Sequence, residues 1–578
     1  MSTDEPFIPP QKKPNVLWWI GGGFFVLVLV FFLQLFGPNP PIVVSPQTTH
    51  ITSPLGANGL PDYERFVLER AREGVTPENN AAVLIWQALW PGELDAKDYA
   101  AIMTELGLEK VPTPGESLDS FYSQANRAAI QEWLKELTGP AVDAEVSDPE
   151  VFQQAVVQAT DKLIDEVLNR PWTSGECPPL AKWVVANKKP IDLLVEASQR
   201  PRCYIPSPSL VNRQKESLVE ILLPGVQSSR EAGRVLAARA MWHAGEGRVD
   251  EAWRDLLAAH RLGRLVAQGP TLIEQLVGMA IDGIAREGTL ALLSHSRPSV
   301  EQAQQIHRDL AALPNLNSVA ESLDSMERLM FVDAVIQFSK GGSGDQLELW
   351  GVGQQAAFIN RLSVNWNVVL QKGNEFYDRY AAAARLPTRV AREQAFGKIQ
   401  TDLRQLEQEI HDPAALAAGV ISPGRRSEIV AAIMVNLFLP AVEAATNAQD
   451  RANAQMDLLR LAAALAVYRA EHGVYPEKLD DLAPAVVDKL PVDLYNAQKF
   501  IYKRAGVGYL LYTAGENGLD DGGSNKMYRT LRGQPVDQLD DGQGEAMETQ
   551  IPEGADDIPI LVPTPKWEPP KLPGSSGP

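Results

Sequence analysis

The residues able to do covalent or metal chemistry are sparse in this chain: two cysteines and seven histidines among 578 residues. No histidine falls in a spacing such as HExxH, and neither a GxSxG elbow nor a GxxxxGK[ST] phosphate loop occurs. His243 and His260 lie on two amphipathic segments that should pair as helices, where a polar or partly buried structural histidine is the ordinary case. Cys177 stands before Pro178-Pro179 with no nucleophile signature around it, so a catalytic thiol is not expected. The sequence therefore nominates no catalytic residue. The alternative is an envelope enzyme with an unrecognised site in the helical region, and a cleft with converging titratable groups would distinguish it.

Cys177 and Cys203 bear on structure instead. They flank a helical-looking segment, Leu180 to Ser198, and outside a membrane a disulfide is allowed. If Lys188-Lys189-Pro190 turns the chain back, the two ends meet and a Cys177–Cys203 bridge closes a helical hairpin. If the segment is one straight helix, the thiols lie beyond the Cα separation that a disulfide tolerates and stay free. Both readings stand.

At 45% hydrophobic residues, a chain of this length can bury the cores of two to four domains. The net charge of -20 argues against nucleic acid or an anionic membrane surface as the main partner, because both require a basic patch.

The position of the chain is set by Val16 to Phe36, an apolar run without charge. As a helix it is roughly 30 Å long, the thickness of a bilayer's hydrocarbon core. Lys12 and Lys13 precede it and no Lys or Arg follows until Arg65, so the positive-inside bias makes residues 1–15 a cytoplasmic tail and 16–36 a transmembrane helix. No small-x-small cleavage pattern follows Leu35-Phe36-Gly37-Pro38, which favours an uncleaved anchor over a signal peptide. The expected location is a bacterial inner membrane with the bulk of the chain in the periplasm.

Residues 37–61 are rich in Pro, Ser, Thr and Gly and read as an extended stalk. From Asp62 helical periodicity takes over and strand-like alternation nearly vanishes, giving a helical domain over 62–426. Segments are expected near 62–73, 79–89, 96–106, 117–138, 148–168, 271–293, 299–312, 315–339, 352–385 and 388–411. Within 232–266, two amphipathic segments joined by Gly245-Glu246-Gly247-Arg248 should form an antiparallel pair. Gly247-Arg248-Val249-Asp250-Glu251-Ala252 resembles one tetratricopeptide-type hairpin, but no 34-residue period accompanies it, so the domain is irregular and all-helical.

From Ser427 the chain reads as a capped apolar half-helix, EIVAAIMVNLFLP, then a kink at Pro440, then an amphipathic half ending at Gly473. Only about eleven apolar residues precede the proline, too few to span a bilayer, so a buried helix is expected. Met456, Leu459, Ala463, Ala466 and Ala470 form one stripe that needs cover, and Lys499–Lys503 and Tyr509–Thr513 read as two short strands able to supply it. The fold class is thus mainly α: a single N-terminal transmembrane helix, an irregular helical domain and a small C-terminal α+β domain.

The run DRANAQMDLLRLAAALAVYRAEHGVYP (450–476) resembles the helix and Tyr-Pro turn of the major pseudopilins of type II secretion systems. Pro440, and Gly515-Glu516-Asn517-Gly518 through Asp520-Asp521-Gly522-Gly523, extend the resemblance over 427–528. Pseudopilins begin with their membrane helix, are cut after a glycine and carry a glutamate at the fifth mature position. Here the membrane run lies roughly 400 residues upstream, and Gly23-Phe24 is followed by Phe25, Val26, Leu27 and Val28. The resemblance therefore implies a pseudopilin-like head that is neither processed nor polymerised and that docks its apolar half-helix on the helical body. In the family the final loop binds calcium, which carries over to Asn517, Asp520 and Asp521 as oxygen ligands. Ser524-Asn525-Lys526-Met527 stands where the family's remaining acids would be, and Asp493-Leu494-Tyr495-Asn496 replaces its Asp-Pro-aromatic-Gly turn. A solvated Asx-Gly turn is the competing reading. Residues 529–578, acidic and then Pro-rich, are expected to be a disordered tail. The function implied is an interaction scaffold with envelope protein partners, accessory to a secretion or pilus-type assembly, with calcium the one cofactor in view.

Overall fold

The computed structural model describes residues 29–30, 32–89, 94, 96–108, 116–138, 149–207, 211, 218, 224–340, 363–438, 441–525, 554–564 and 566. Most of the apolar run from Val16, Lys12 and Lys13 before it, the Gly23-to-Val28 stretch, Pro440 and residues 529–553 lie outside them. The described chain is mainly helical with one small antiparallel sheet, and it divides into two compact units.

The first unit takes residues up to Pro61, Leu329–Arg379 and Gly397–Pro440. Its centre is aromatic: Phe331 lies 5.6 Å from Tyr377 and meets Phe438 edge-on at 5.7 Å between ring centroids. The Pro423–Phe438 helix buries Ile429, Val430, Ala431, Ala432, Met434 and Val435, as an apolar half-helix too short for a bilayer should. By length and composition Pro423–His472 is the one candidate span among the described residues, and 60% of its most apolar window is buried in the protein. The stalk expected at 37–61 is corrected in part. Two asparagines on the Trp366–Ala384 helix, two turns apart, hold that segment down by its backbone. Asn367 accepts from Val43 N at 2.8 Å and donates to Pro41 O at 2.9 Å, while Asn374 donates to the carbonyls of Gln47 and Thr48 at 3.0 and 2.9 Å. Thr48 and Thr49 are consequently buried.

The second unit takes Asp62–Arg328, Tyr380–Phe396 and the chain from Ala441. The expected antiparallel pair is present as Pro224–Gly245 and Val249–Val266, and the Leu272–His295 helix packs on both. Gly263 and Gly278 let two of these helices touch, since a Cβ on either would run into the other's carbonyl oxygen. Reciprocal caps start the next two helices: Thr271 with Glu274, and Ser299 with Gln302. The Ala441–His472 helix then lies on Leu272–His295 and Val300–Ala312. Met456, Leu459, Ala463 and Ala466 are buried as the stripe requires, and so are Leu458, Leu461 and Leu465 beside it.

The far side of that helix is covered by a sheet of order β1-β2-β3, formed by Ile501–Ala505, Gly508–Thr513 and Ile558–Val562. The first two strands pair antiparallel with Lys503 opposite Leu510, close to the expected positions. The third corrects the expected tail over residues 558–562: β3 pairs antiparallel with β2, Leu511 opposite Ile560 and Tyr509 opposite Val562. Ile558, Ile560 and Val562 reach the same core as Tyr509 and Leu511. The boundary expected at 427 also moves. One hydrophobic cluster runs from Leu84 and Trp172 through Leu256 and Leu310 to Leu459, Tyr509 and Ile560, so the sheet and its helix share a core with the helical body.

Both cysteines are free thiols in the structure, as in the second of the two readings. The chain does turn at Asn187, between the Pro178–Ala186 and Lys188–Ala197 helices. The segment after the second helix is then drawn away to the start of the Ala81–Leu89 helix. Ala81 N donates to Arg202 O at 2.7 Å, and the Asn80 side chain exchanges hydrogen bonds with the backbone of Tyr204 at 2.8 and 3.0 Å. Burial pushes both thiols up to about 12.

Candidate metal centre

The loop that leaves β2 and the segment that enters β3 are fastened to each other by side chains of acids. Asp557 Oδ2 accepts the N–H groups of Asp521 and Gly523 at 3.0 and 2.8 Å, and Asn525 Nδ2 donates to Asp557 O at 2.9 Å. Gly523, at φ 83°, takes the left-handed backbone that turns its N–H toward Asp557. Asp556 Oδ2 accepts from Asn517 N at 3.1 Å, and Asp556 N donates to Asp521 Oδ2 at 3.3 Å.

This stitching brings three carboxylates together. One oxygen each from Asp521, Asp556 and Asp557 lies within 4.8 Å of the others. Asp557 is fully buried, and the Oδ1 atoms of Asp556 and Asp557 are buried without a hydrogen-bond donor. Burial, with the carboxylates of Asp521 and Asp520 adding to it, pushes the Asp557 carboxyl up to about 6. Three converging carboxylates, two of which keep a buried oxygen that accepts no hydrogen bond, are hard donors of the type that a divalent cation such as calcium neutralises, so the residues present fit such an ion.

Of the three residues expected as ligands, one falls in this carboxylate cluster and the other two hold nearby hydrogen bonds. Asp521 is in the cluster. Asp520 is not: its Oδ1 is taken by the Tyr512 hydroxyl at 2.8 Å and by Gly522 N at 3.0 Å. Asn517 acts as a strut, donating to Asp521 Oδ2 and Gly554 O while accepting from Leu519 N. The other two acids of the cluster, Asp556 and Asp557, come from the segment that enters β3. The visible signal was an Asp-Asp pair set directly before the apolar IPILV run. The irregular Asp493-Leu494-Tyr495-Asn496 turn is closed differently: the Asp493 carboxylate accepts from Tyr495 N at 2.9 Å and Ala514 N at 3.2 Å, tying it to the end of β2.

A second constellation, also missed in the sequence, has the connectivity of a hydrolytic triad. His260 Nε2 lies 3.2 Å from Thr289 Oγ1, and His260 Nδ1 lies 2.6 Å from Asp282 Oδ1. All three are buried, and the threonine hydroxyl donates to Ala285 O at 2.8 Å. Arg264 donates to the same Asp282 oxygen at 2.5 Å, and Arg286 lies 3.6 Å from the other. Burial would raise the Asp282 carboxyl, but His260, Arg264 and Arg286 outweigh it and hold it ionised. Burial lowers His260, favouring the neutral ring. With the Thr289 hydroxyl fully buried, the three side chains join two helices as a polar clamp. His243, the other histidine singled out, is lowered to about 4 by burial and the nearby arginines, and its Nδ1 accepts from Arg248.

Compared with models of known protein families, with curated proteins and with solved structures, the chain matches none.

Proposed function

We propose that this chain is a single-pass inner-membrane protein whose periplasmic bulk is an interaction scaffold, with a pseudopilin-like module at its C-terminal end, accessory to a type II secretion or pilus-like assembly. The observation that carries the reading is the helix after Pro440. It is covered on one side by a three-stranded antiparallel sheet and on the other by body helices, while the apolar half before the proline is buried in protein. A pilin-type helix held in this way is not available for lipid or for a filament core, which fits a borrowed module that binds. The uncharged run 16–36 supplies the anchor. Asp521, Asp556 and Asp557 would hold calcium, whose charge would lock the loop to β3 and so rigidify the face that the loop presents.

Two measurements test this. Protease added to spheroplasts should digest the chain beyond residue 61, and protection of that bulk would place it in the cytosol and end the reading. The full chain, purified from membranes in mild detergent, should carry envelope components of a secretion-type assembly. Recovery of the lone protein would count against the accessory role.

A further inference from the structure

We propose that the Pro413–Ile421 helix is a second membrane contact, lying in the plane of the outer bilayer interface beside the exit of the anchor. The inference rests on the single-pass reading above.

The helix PAALAAGVI carries no charge, and no acid occurs between Asp412 and Glu428 in a chain of net charge -20. Its described side chains point largely outward, with Val420 44% and Ile421 67% exposed. At nine residues it is about 13 Å long, too short to cross a bilayer.

What fixes its level is Arg426. The side chain is buried, and its guanidinium donates to four backbone carbonyls: Gly419 at 3.0 Å, Val420 at 3.0 Å, Ser363 at 2.6 Å and Gln34 at 3.0 Å. Two of these belong to the last turn of the apolar helix. Gln34 belongs to the last turn of the anchor run, whose Phe32, Leu33 and Phe36 are themselves more than half exposed. One cation thus satisfies the free carbonyls at the C-terminal ends of both helices. Ser363 N donates to Leu35 O at 2.8 Å and Val364 N to Asn39 Oδ1 at 2.8 Å, which holds the same corner. If residues 16–36 span the hydrocarbon, Gln34 sits where the chain leaves it, and Val420 and Ile421 are pinned at that depth.

The test uses the full chain in nanodiscs of phosphatidylcholine and phosphatidylglycerol. An environment-sensitive fluorophore is placed at Ile421→Cys, at Phe32→Cys in the anchor, and at Val507→Cys, 88% exposed in the β1–β2 turn. The parent chain, labelled in parallel, corrects for its native thiols. We expect the labels at 421 and 32 to lose fluorescence to doxyl-labelled lipid and to resist iodide, with the reverse at 507. Loss to lipid at 32 but only to iodide at 421 would overturn the second contact and leave the anchor standing. Loss only to iodide at 32 would overturn the anchor, and the second contact with it.

Discussion

The Asp557 carboxylate reaches back 34 residues to accept the backbone N–H of Gly523 at 2.8 Å. That bond sets the strand-entering segment against the loop and leaves the other oxygen of Asp557 buried beside two more acids. Millimolar calcium should raise the melting temperature, because an ion bound only by the folded state adds stability, about 2.7 kcal/mol at a hundredfold excess over Kd. Asp557→Asn should abolish the rise without lowering the calcium-free melting point, since the amide oxygen can still accept from Gly523 while the repulsion is relieved. Asp520→Asn should keep the rise. A response lost with Asp520 and retained without Asp557 would return the site to the ligand set expected from sequence. Differential scanning fluorimetry reads all three.

Ile560 makes the strand itself testable. It is buried opposite Leu511, and just past the strand's end Thr564 N donates to Ser294 Oγ at 3.3 Å, on the Leu272–His295 helix. Ile560→Ala should cost about 2–5 kcal/mol in urea unfolding, the usual loss for a large-to-small change in a packed core. In a disordered tail the same substitution would change nothing.

The contrast between these two strand regions shows what was legible. The helices of the body announced themselves through apolar spacing, and Tyr509–Thr513 through aromatic and aliphatic content, because both signals are local. Ile558–Val562 has an equally apolar sequence, but it follows a long acidic stretch and precedes a Pro-rich one, so composition averaged over the tail concealed it. The same holds for the candidate cation site. Asp521 was readable because a glycine-rich turn surrounds it, whereas Asp556 and Asp557 become ligand candidates only after a long-range strand pairing returns them to the loop. The stalk shows the converse: Pro- and Ser-rich composition reports freedom from regular structure, and says nothing of whether Asn367 and Asn374 are present elsewhere to hold its carbonyls.

Glu274 ties one helix cap to pH. Its carboxylate accepts from Thr271 N and Oγ1 at 2.9 and 2.8 Å, and burial pushes it up to about 7. An acid whose folded pKa exceeds the unfolded value, about 4.3, favours the fold most when protonated. Stability from this group is therefore fully present below about pH 4.3 and is lost as pH rises through about 7, by an amount on the order of 3 kcal/mol. Glu274→Gln keeps an acceptor for the Thr271 N–H and removes the titration. Its unfolding free energy, measured in urea from pH 5 to pH 8, should fall less steeply than that of the parent.

Asp282 decides whether the buried histidine network is chemistry or architecture. Among the described residues it is the acid that pairs with His260, Arg264 and Arg286, so Asp282→Asn takes away the counter-charge it gives two buried guanidinium groups. Breaking a buried pair from one side costs about 3–5 kcal/mol. Thr289→Val removes a hydroxyl bonded to His260 and Ala285 O in a volume that the isostere fills, and should cost about 1 kcal/mol. Urea midpoints for the two variants should therefore differ widely, with Asp282→Asn by far the less stable. A reactive triad would give a different pattern: Thr289 Oγ1 would be phosphonylated by a fluorophosphonate probe in the folded chain, with fluoride leaving, and Thr289→Val would abolish labelling at no cost in stability. The clamp predicts that intact protein shows no mass increase at Thr289 after exposure to the probe.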